Sequence, residues 1–400
     1  MNFARATATA AVAVVRIPDG PARVRRQGVK ILLGGIPLGC NNIGDEAIVA
    51  CVVEIVRQAL PGVELTVATE DPRTAERLGV GVVPAYGFAG RGTEGFAEVA
   101  RGHDAYVWCG ATGLSDYPQV GLDLLAAAQE AGVPAYVWCV GMDDELNPVF
   151  FRAGGKRRAL LGALGLVGRY EAWLRGRLAK RMARILPRCR GVWVRDPQSA
   201  GMLARTGYPG AGVAADPAIW LARKKEGWIG KERPRRLGLC ISDQRRVADL
   251  AGVARMVEAV EGAGWEVVGI PMNPVTDRAL MERELGVACA PVASPEDVLE
   301  TAAGCGVVVS SRLHLLILAA DVGTPGIGIV RGSKIANWLA NFGQAPAGTV
   351  AGCDWEAVAR RVLASPGERT AWLDVRAKAY QAMEMRLETA RRALAEKLPS

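Results

Sequence analysis

The chain is poor in histidine and lacks the cysteine pairs that mark zinc sites or disulfide frameworks. Its 400 residues include only two histidines, and its nine cysteines are scattered without a CxxC pair. Most of these cysteines lie in apolar runs, where cysteine behaves as a small hydrophobic residue. This pattern argues against structural zinc and against a secreted disulfide scaffold. A reducing cytoplasm is therefore the simplest compartment.

Long apolar runs are also missing. An early apolar run covers residues 6–15, which is too short to span a bilayer. It lacks a strongly basic start and a clean cleavage site. We expect residues 1–28 to form a disordered leader or to reflect an upstream start codon, with a signal peptide as the weaker alternative.

The order of strand-like and helical segments predicts an α/β protein. Short apolar runs alternate with helical periodicity from residue 30 onward, which is typical of doubly wound parallel sheets. The length favours two domains. We predict two Rossmann-like domains facing a cleft, at residues 29–222 and 237–365. A polar linker is expected at 223–236, and a helix at 366–400 that packs back on the first domain.

Positive charge is concentrated in one segment. The net charge is +8, yet residues 151–190 alone hold twelve Lys and Arg against one acid, Glu171. Leucines and other apolar residues recur there at helical spacing, which predicts amphipathic helices. One interpretation is a solvated surface. The other is contact with anionic lipid head groups at the inner face of the cell membrane, or with a lipid-linked diphosphate substrate. No nucleic-acid-binding motif accompanies the charge.

The first candidate site element follows the first predicted strand. Residues 34–47 form a glycine-rich loop that opens a helix, and they include Asn42, Gly44 and Asp45. Glycines let the backbone approach a ligand, and a helix N-terminus favours negative charge. The loop has neither a GxGxxG pattern nor the lysine of a P-loop, so it does not indicate a nucleotide site. Asn42 and Asp45 could bond sugar hydroxyls or the reacting group, or Asp45 could only cap the helix.

Other polar residues follow later strands. Residues 109–116 form a second turn of small residues that ends at Asp116, and Arg195 stands at another strand end. Arginine at such a position suits a phosphate or carboxylate. Asn273 and Asp277 lie at a strand end in the second half, where turn chemistry and a helix cap are the stronger interpretation.

The strongest signal is the sequence Ser311-Arg312-Leu313-His314 between a predicted strand and a helix. Arg312 supplies a planar fork for an anion, and His314 supplies a proton that moves near neutral pH. The next strand-end loop carries Arg331 and Lys334. Cations on two adjacent loops suit an anion with more than one negative group.

In this order, the motifs resemble those of the polysaccharide pyruvyl transferase family. The resemblance extends from about residue 30 to residue 345, and its first and last motifs are the most specific. The matching elements are residues 42–47, the turn ending at Asp116, residues 194–196 with Ser199, Asp216-Pro217, residues 311–314 and residues 323–325.

The resemblance implies two Rossmann-type domains arranged as in B-type glycosyltransferases. It also implies transfer of pyruvate from phosphoenolpyruvate onto two hydroxyls of a sugar, as a cyclic ketal. In that chemistry Arg312, with Arg331 or Lys334, would hold the donor, and His314 would be the acid. Asp45 or Asp116 would be the base or a sugar ligand. No cofactor beyond the donor and no metal is expected.

Two alternatives remain open from the sequence. One is a glycosyltransferase of the same two-domain plan that uses a nucleotide sugar, and the other is a catalytically silent glycan-binding protein. The turn at residues 109–113 departs from the three glycines that are frequent in the family, and residues 241–245 replace a usual Leu-Arg pair. The acceptor is expected to be a cell-surface glycan or its lipid-linked precursor.

Overall fold

A computed structural model describes residues 28–152, 154–224 and 226–398. The predicted leader at residues 1–28 therefore lies almost entirely outside the described residues.

The first domain is built on a seven-stranded sheet. All its paired strands are parallel, in the order β3-β2-β1-β4-β5-β6-β7. Both β4 and β5 are buried along their whole length, as expected for strands covered by helices on both faces. The strands are β1 Lys30–Gly34, β2 Glu64–Ala68, β3 Gly81–Val83, β4 Ala105–Cys109, β5 Ala135–Val140, β6 Gly191–Val194 and β7 Gly212–Val213.

Helices cover both faces of this sheet. The basic segment predicted to be amphipathic forms α7 and α8; α8 packs on α5 and buries Leu178, Met182 and Ile185, whereas α7 buries no residue. The helices are α1 Ile43–Ala59, α2 Arg73–Leu78, α3 Phe96–Arg101, α4 Gly113–Asp116, α5 Pro118–Glu130, α6 Pro148–Phe151, α7 Gly155–Ala163, α8 Val167–Ile185 and α9 Pro197–Arg205, with 3₁₀ turns at Leu186–Arg188 and Pro217–Lys224.

A mixed six-stranded sheet forms the second domain, in the order β13-β12-β11-β10-β8-β9. Only the β12–β13 pair is antiparallel. Its strands are β8 Arg236–Cys240, β9 Glu266–Gly269, β10 Val307–Ser310, β11 Gly326–Val330, β12 Gly348–Thr349 and β13 Gly352–Cys353. Its helices are α11 Leu250–Gly262, α12 Thr276–Glu284, α13 Pro295–Ala303, α14 Leu313–Asp321 and α15 Ser333–Ala340.

The segment predicted as a linker at 223–236 is more ordered than its polarity suggested. It contains the short helix α10, Glu226–Ile229. Arg233 donates hydrogen bonds to the backbone carbonyls of Trp228 (2.8 Å) and Val322. These bonds fix the segment to the second domain, because a guanidinium can bond several carbonyls at once.

The C-terminal helix starts at Trp355 rather than at residue 366 and continues to Lys397 as α16. Pro366 lies inside it, although proline lacks the N–H that the carbonyl of Val362 would accept. The Ser365 hydroxyl donates to that carbonyl instead, at 2.7 Å. The first part of α16 packs on α11, and later parts contact α1, β6 and β7. Trp138 of β5 donates to the carbonyl of Ala390 at 3.3 Å.

The two sheets place their carboxyl ends at one cleft between the domains. In each sheet the strand order reverses direction at the centre, between β1 and β4 and between β8 and β10, where ligands of such sheets bind. The backbone N–H of Ile43 donates to the carbonyl of Met272 across the cleft, at 3.0 Å. Asp143 accepts from the Ser333 hydroxyl (3.1 Å) and from the Lys334 N–H (2.8 Å), which joins β5 to α15.

Candidate active site

A cavity of about 170 Å³ lies in this cleft, and loops of both domains line it. Seven of the ten predicted site residues are among its walls, together with Asn273, and they come from motifs that lie far apart in the chain. The lining residues are Pro37, Cys40, Asn42, Asp45, Ala111, Thr112, Asp116, Tyr117, Gln244, Met272, Asn273, Arg312, Leu313, His314, Arg331 and Lys334.

Asn42 and Asp45 form the wall on the side of the first domain. Asn42, rather than Asp45, is the N-cap of α1, and its Oδ1 accepts from the Gly44 N–H at 3.2 Å. Its Nδ2 donates to Oδ2 of Asp45 at 2.8 Å. The cap therefore holds the carboxylate of Asp45 against the cavity instead of leaving it to the helix end.

The carboxyl group of Asp45 has an unusual affinity for protons. It is only 4% exposed, and burial raises its pKa from 3.8 to about 6. The charges of His314 and Lys334 and the bond from Asn42 act in the opposite direction but are outweighed. A carboxyl with a pKa near neutral pH can accept a proton from a reacting hydroxyl and release it again.

Asp45→Asn should stabilise the protein at pH 8 and leave its stability almost unchanged at pH 4. The folded state holds the proton of Asp45 more tightly than the unfolded state, so stability falls as pH rises from about 4 to about 6. Above that window the buried carboxylate costs about 3 kcal/mol, and we expect the isosteric amide to recover 1–3 kcal/mol of it. Denaturant unfolding at the two pH values measures this, and equal stabilisation at both would contradict it.

His314 packs directly against Gly44 of the other domain. A Cβ added at Gly44 would come within 2.2 Å of Nδ1, so only glycine leaves room for the imidazole. Nε2 of His314 lies 3.6 Å from Oδ2 of Asp216. Burial would raise the pKa of Asp216, but the nearby imidazole of His314 and the charge of Arg195 hold it below its usual value. Asp216 therefore stays ionised and orients the ring.

Arg195 lies behind this pair and outside the cavity lining. It is 5% exposed, and its Nη1 lies 3.7 Å from Oδ2 of Asp216. Its Nε donates to Asp196 at 3.3 Å. We predicted Arg195 as a substrate ligand, whereas the structure places it where it supports the Asp216–His314 pair.

Arg312 is held by the carboxylate of Asp277, for which the sequence favours a role as a helix cap. Its Nε and Nη2 donate to the two oxygens of Asp277, at 2.9 and 2.7 Å, and its Nη1 donates to Gln244 at 3.2 Å. Asp277 is completely buried and also accepts from the backbone N–H groups of Asp243 and Asn273. The planar fork is therefore occupied by Asp277, and Arg312 presents only its remaining surface to the cavity.

Arg331 is the cation without a nearby carboxylate. Its Nη1 donates to the Ser242 hydroxyl (3.0 Å) and the Gln244 carbonyl (2.9 Å), and its buried Nε has no hydrogen-bond partner. Among the described residues, no carboxylate oxygen lies within 4 Å of its guanidinium. Burial, reinforced by the charge of Arg312, lowers the pKa of Arg331 to about 10. The group still carries its proton at pH 7, so it places at the cavity wall a positive charge that no carboxylate contacts directly among the described residues.

Lys334 closes the cavity from the start of α15. Its Nζ donates to Thr112 (3.3 Å) and Asp116 (3.4 Å), so it bridges the domains. Ser311, in contrast, lies outside the cavity lining. It is fully buried, and its hydroxyl accepts from the Ser242 N–H at 2.8 Å, which makes it a support for the loop after β8.

Several residues that line the cavity, among them Gln244 and Tyr117, are not among the site residues predicted from the sequence. Gln244 bonds Arg312, and it lies in residues 241–245, where the chain departs from the usual Leu-Arg pair. Tyr117 follows the second turn, and burial raises its pKa to about 12. Both residues follow strands that end at the cleft, and this position is the one sequence feature that could have identified them as site residues.

The fold is that of the B-type glycosyltransferases. A transferase from Siraitia grosvenorii solved with UDP superposes with a TM-score of 0.53 at 11% identity, covering 93% of this chain and all of that one. UGT89C1 from Arabidopsis thaliana superposes with a TM-score of 0.54 at 10% sequence identity, covering 94% of this chain and 100% of that one. UDP-GlcNAc 2-epimerase from Neisseria meningitidis superposes with a TM-score of 0.52 at 11% sequence identity, covering 93% of this chain and 99% of that one. At these identities the likeness concerns the fold alone.

Sequence comparison identifies the family. No protein of curated function gives a significant match. The family model described as polysaccharide pyruvyl transferase matches residues 42–333, a region that begins at the cap of α1 and ends at the start of α15. The matched region contains most of the cavity lining, from Asn42 to Arg331. The chain therefore belongs to the polysaccharide pyruvyl transferase family.

Proposed function

We propose that the cleft binds phosphoenolpyruvate and transfers its pyruvyl group to a sugar as a cyclic ketal. The observation that carries this proposal is the charge of Arg331, which no carboxylate balances among the described residues. Arg312 and Lys334 line the same cavity, and each already has a carboxylate partner, Asp277 and Asp116 respectively. A phosphate or carboxylate bound there supplies the close counter-charge that Arg331 lacks, with the other two cations nearby.

Two further residues of the cavity lining, His314 and Asp45, carry groups that can move protons. In the proposed reaction His314 protonates the methylene carbon of the donor, which leaves positive charge on the central carbon. A sugar hydroxyl attacks that carbon, and Asp45 accepts the hydroxyl proton. The bond from carbon to the phosphate oxygen then breaks, and a second hydroxyl attacks the same carbon to close the ketal. His314, deprotonated in the first step, accepts the proton of this hydroxyl, and the proton on Asp45 leaves with phosphate. One phosphate is released for each ketal, no water is consumed, and the product gains the mass of pyruvate minus water.

The acceptor of the proposed reaction is a sugar of a cell-surface polysaccharide or of its lipid-linked precursor. Asn42, Asp116 and Asn273 offer amide and carboxylate groups at the cavity wall, which suit pairs of hydroxyls. A second cavity of about 360 Å³ continues from the first and shares five of its residues, so a larger glycan has room beside the donor. The donor and the reduced cysteines fit a reaction in the cytoplasm.

A direct test incubates the enzyme with phosphoenolpyruvate and a panel of soluble and lipid-linked sugars. We expect phosphate release that depends on one acceptor, with a product whose mass increases by pyruvate minus water. Sugar-independent release would indicate a hydrolase. Consumption of nucleotide sugars with no use of phosphoenolpyruvate would identify a glycosyltransferase instead, and either result would overturn the proposal.

A further inference from the structure

The basic segment of the first domain exposes apolar side chains that the rest of the protein does not cover. Helix α7 has no buried residue, and its main neighbour is α8. Leu160 is 65% exposed, and Leu164, directly after the helix, is 62% exposed. A helix that buries nothing within its own chain gains little stability from packing, and its exposed leucines indicate a surface that meets another apolar phase.

Exposed apolar residues are concentrated here rather than spread over the protein. Of the ten large hydrophobic side chains that are exposed in the described chain, five lie between residues 149 and 173. They include Val149, Phe150 and Trp173. We call the surface formed by residues 148–152 and 154–184 the basic hairpin.

Aromatic and cationic groups occupy the same surface. Trp173 is 51% exposed, stacks on Tyr170 with ring centroids 5.6 Å apart, and is covered by the Arg177 guanidinium at 4.8 Å. Arg157 donates to the Tyr170 hydroxyl at 2.7 Å. Amphipathic rings beside cations are favoured at the boundary between water and lipid, where the ring is partly desolvated and the polar edge stays wet.

Most of the positive charge on α8 is not neutralised by the protein. A groove of about 810 Å³ is lined by Phe150, Leu174, Arg177, Lys180 and Arg184, and also by Asp123, which pairs with Arg181. No carboxylate of the described residues lies within 4 Å of Arg177, Lys180 or Arg184. Cations over an apolar floor complement a layer of phosphate head groups above acyl chains.

We propose that the basic hairpin docks on an anionic lipid bilayer. No helix in the described part of the chain is long and apolar enough to cross a membrane, so the contact is peripheral. Leu160, Leu164 and Trp173 enter the interface, and the cations of α8 bind the head groups. Val149 belongs to the exposed apolar set and also lines the second cavity beside the cleft, so docking brings that cavity close to the membrane surface.

Vesicle co-sedimentation tests this proposal. The full-length protein is mixed with vesicles of phosphatidylcholine alone or with added phosphatidylglycerol, at low and high salt. We expect binding only to the anionic vesicles, weakened by salt. Arg177→Glu with Lys180→Glu should lower the partition coefficient at least about 30-fold. Leu160→Ser with Leu164→Ser should lower it about tenfold or more.

Matched variants on other helices serve as controls. Arg255→Glu with Arg283→Glu makes the same charge change on exposed positions of the second domain, and Val375→Ser with Met385→Ser removes exposed apolar groups from α16. These variants should bind nearly as wild type does. Equal losses in the controls, no binding of wild type at low salt, or a dimer without lipid that depends on Leu160 would each overturn the proposal.

The outcome is independent of the proposed reaction. Hairpin variants should release phosphate from phosphoenolpyruvate with a soluble acceptor as wild type does, because none of the substituted residues lines the cavity in the cleft. Failure of vesicle binding with intact turnover would refute only the membrane contact. Vesicle binding without turnover would refute only the proposed chemistry.

Discussion

Arg331→Gln should lower kcat/KM for phosphoenolpyruvate on the order of 10²-fold while leaving the protein at least as stable as wild type. The substitution removes the one cation of the cavity that no carboxylate balances, and with it a charge-assisted contact to the donor of about 1.5–3 kcal/mol. It also relieves a buried charge whose pKa is already lowered to about 10 by burial and by Arg312. Loss of function without loss of stability is the signature of a charge kept for binding.

Steady-state kinetics with thermal unfolding measures both effects. Arg331→Lys keeps the charge and should recover part of the activity, mainly through KM. Arg278→Gln is the matched control, since Arg278 is also a partly buried arginine of the second domain but lies outside the cavity. Similar losses in both glutamine variants, or a destabilised Arg331→Gln protein, would mean that Arg331 is a structural residue.

His314→Asn should reduce kcat about 10²- to 10⁴-fold, the range typical of a lost general acid. Asparagine keeps a polar group of similar reach but cannot deliver a proton. Donor affinity should change little, because the substitution leaves all three cations of the cavity in place. Phosphate release under saturating donor measures kcat, and isothermal titration measures binding of the donor. A large loss of donor binding with unchanged kcat would assign His314 to binding rather than to proton transfer.

Two further variants test whether the position of the His314 imidazole matters for activity in addition to its ability to donate a proton. Gly44→Ala forces a Cβ to within 2.2 Å of Nδ1 and should displace the imidazole without removing it. Gly367→Ala on α16 is the control, because a Cβ there meets nothing within 4 Å. We expect Gly44→Ala to approach the activity of His314→Asn and Gly367→Ala to match wild type. Wild-type activity in Gly44→Ala would contradict a catalytic role for the imidazole in this position.

Much of the architecture could be predicted from the sequence because its strands are almost continuously apolar. The runs at Ala105–Cys109 and Ala135–Val140 are buried along their whole length, and their periodicity and length leave little choice of element. The short strands β3 and β7 were missed, since Gly81–Val83 and Gly212–Val213 are too short to show a pattern. The predicted C-terminal helix at 366–400 begins too late: α16 starts at Trp355 and continues through Pro366, where the Ser365 hydroxyl supplies the missing hydrogen bond.

The position of the site followed from the rule that parallel strands end at one edge, but its internal pairing did not. The sequence placed Arg312 and Asp277 on two loops of one domain and offered no way to know that the carboxylate occupies the fork of the arginine. The same holds for Asp216, whose oxygen lies 3.6 Å from His314 across the cleft. Such pairs depend on how separate loops meet, within one domain for Arg312 and Asp277 and between the domains for Asp216 and His314, which local patterns do not encode.

The proposed reaction requires that phosphoenolpyruvate occupy the cleft between Arg331 and His314. The most direct measurement is a crystal structure of the full-length protein with the donor bound. We predict its phosphate or carboxylate within hydrogen-bond distance of Arg331, with the methylene carbon facing His314 and the wall of Asp45. A donor bound elsewhere on the protein, or a cleft in which Arg331 and His314 contact no part of the donor, would contradict the account.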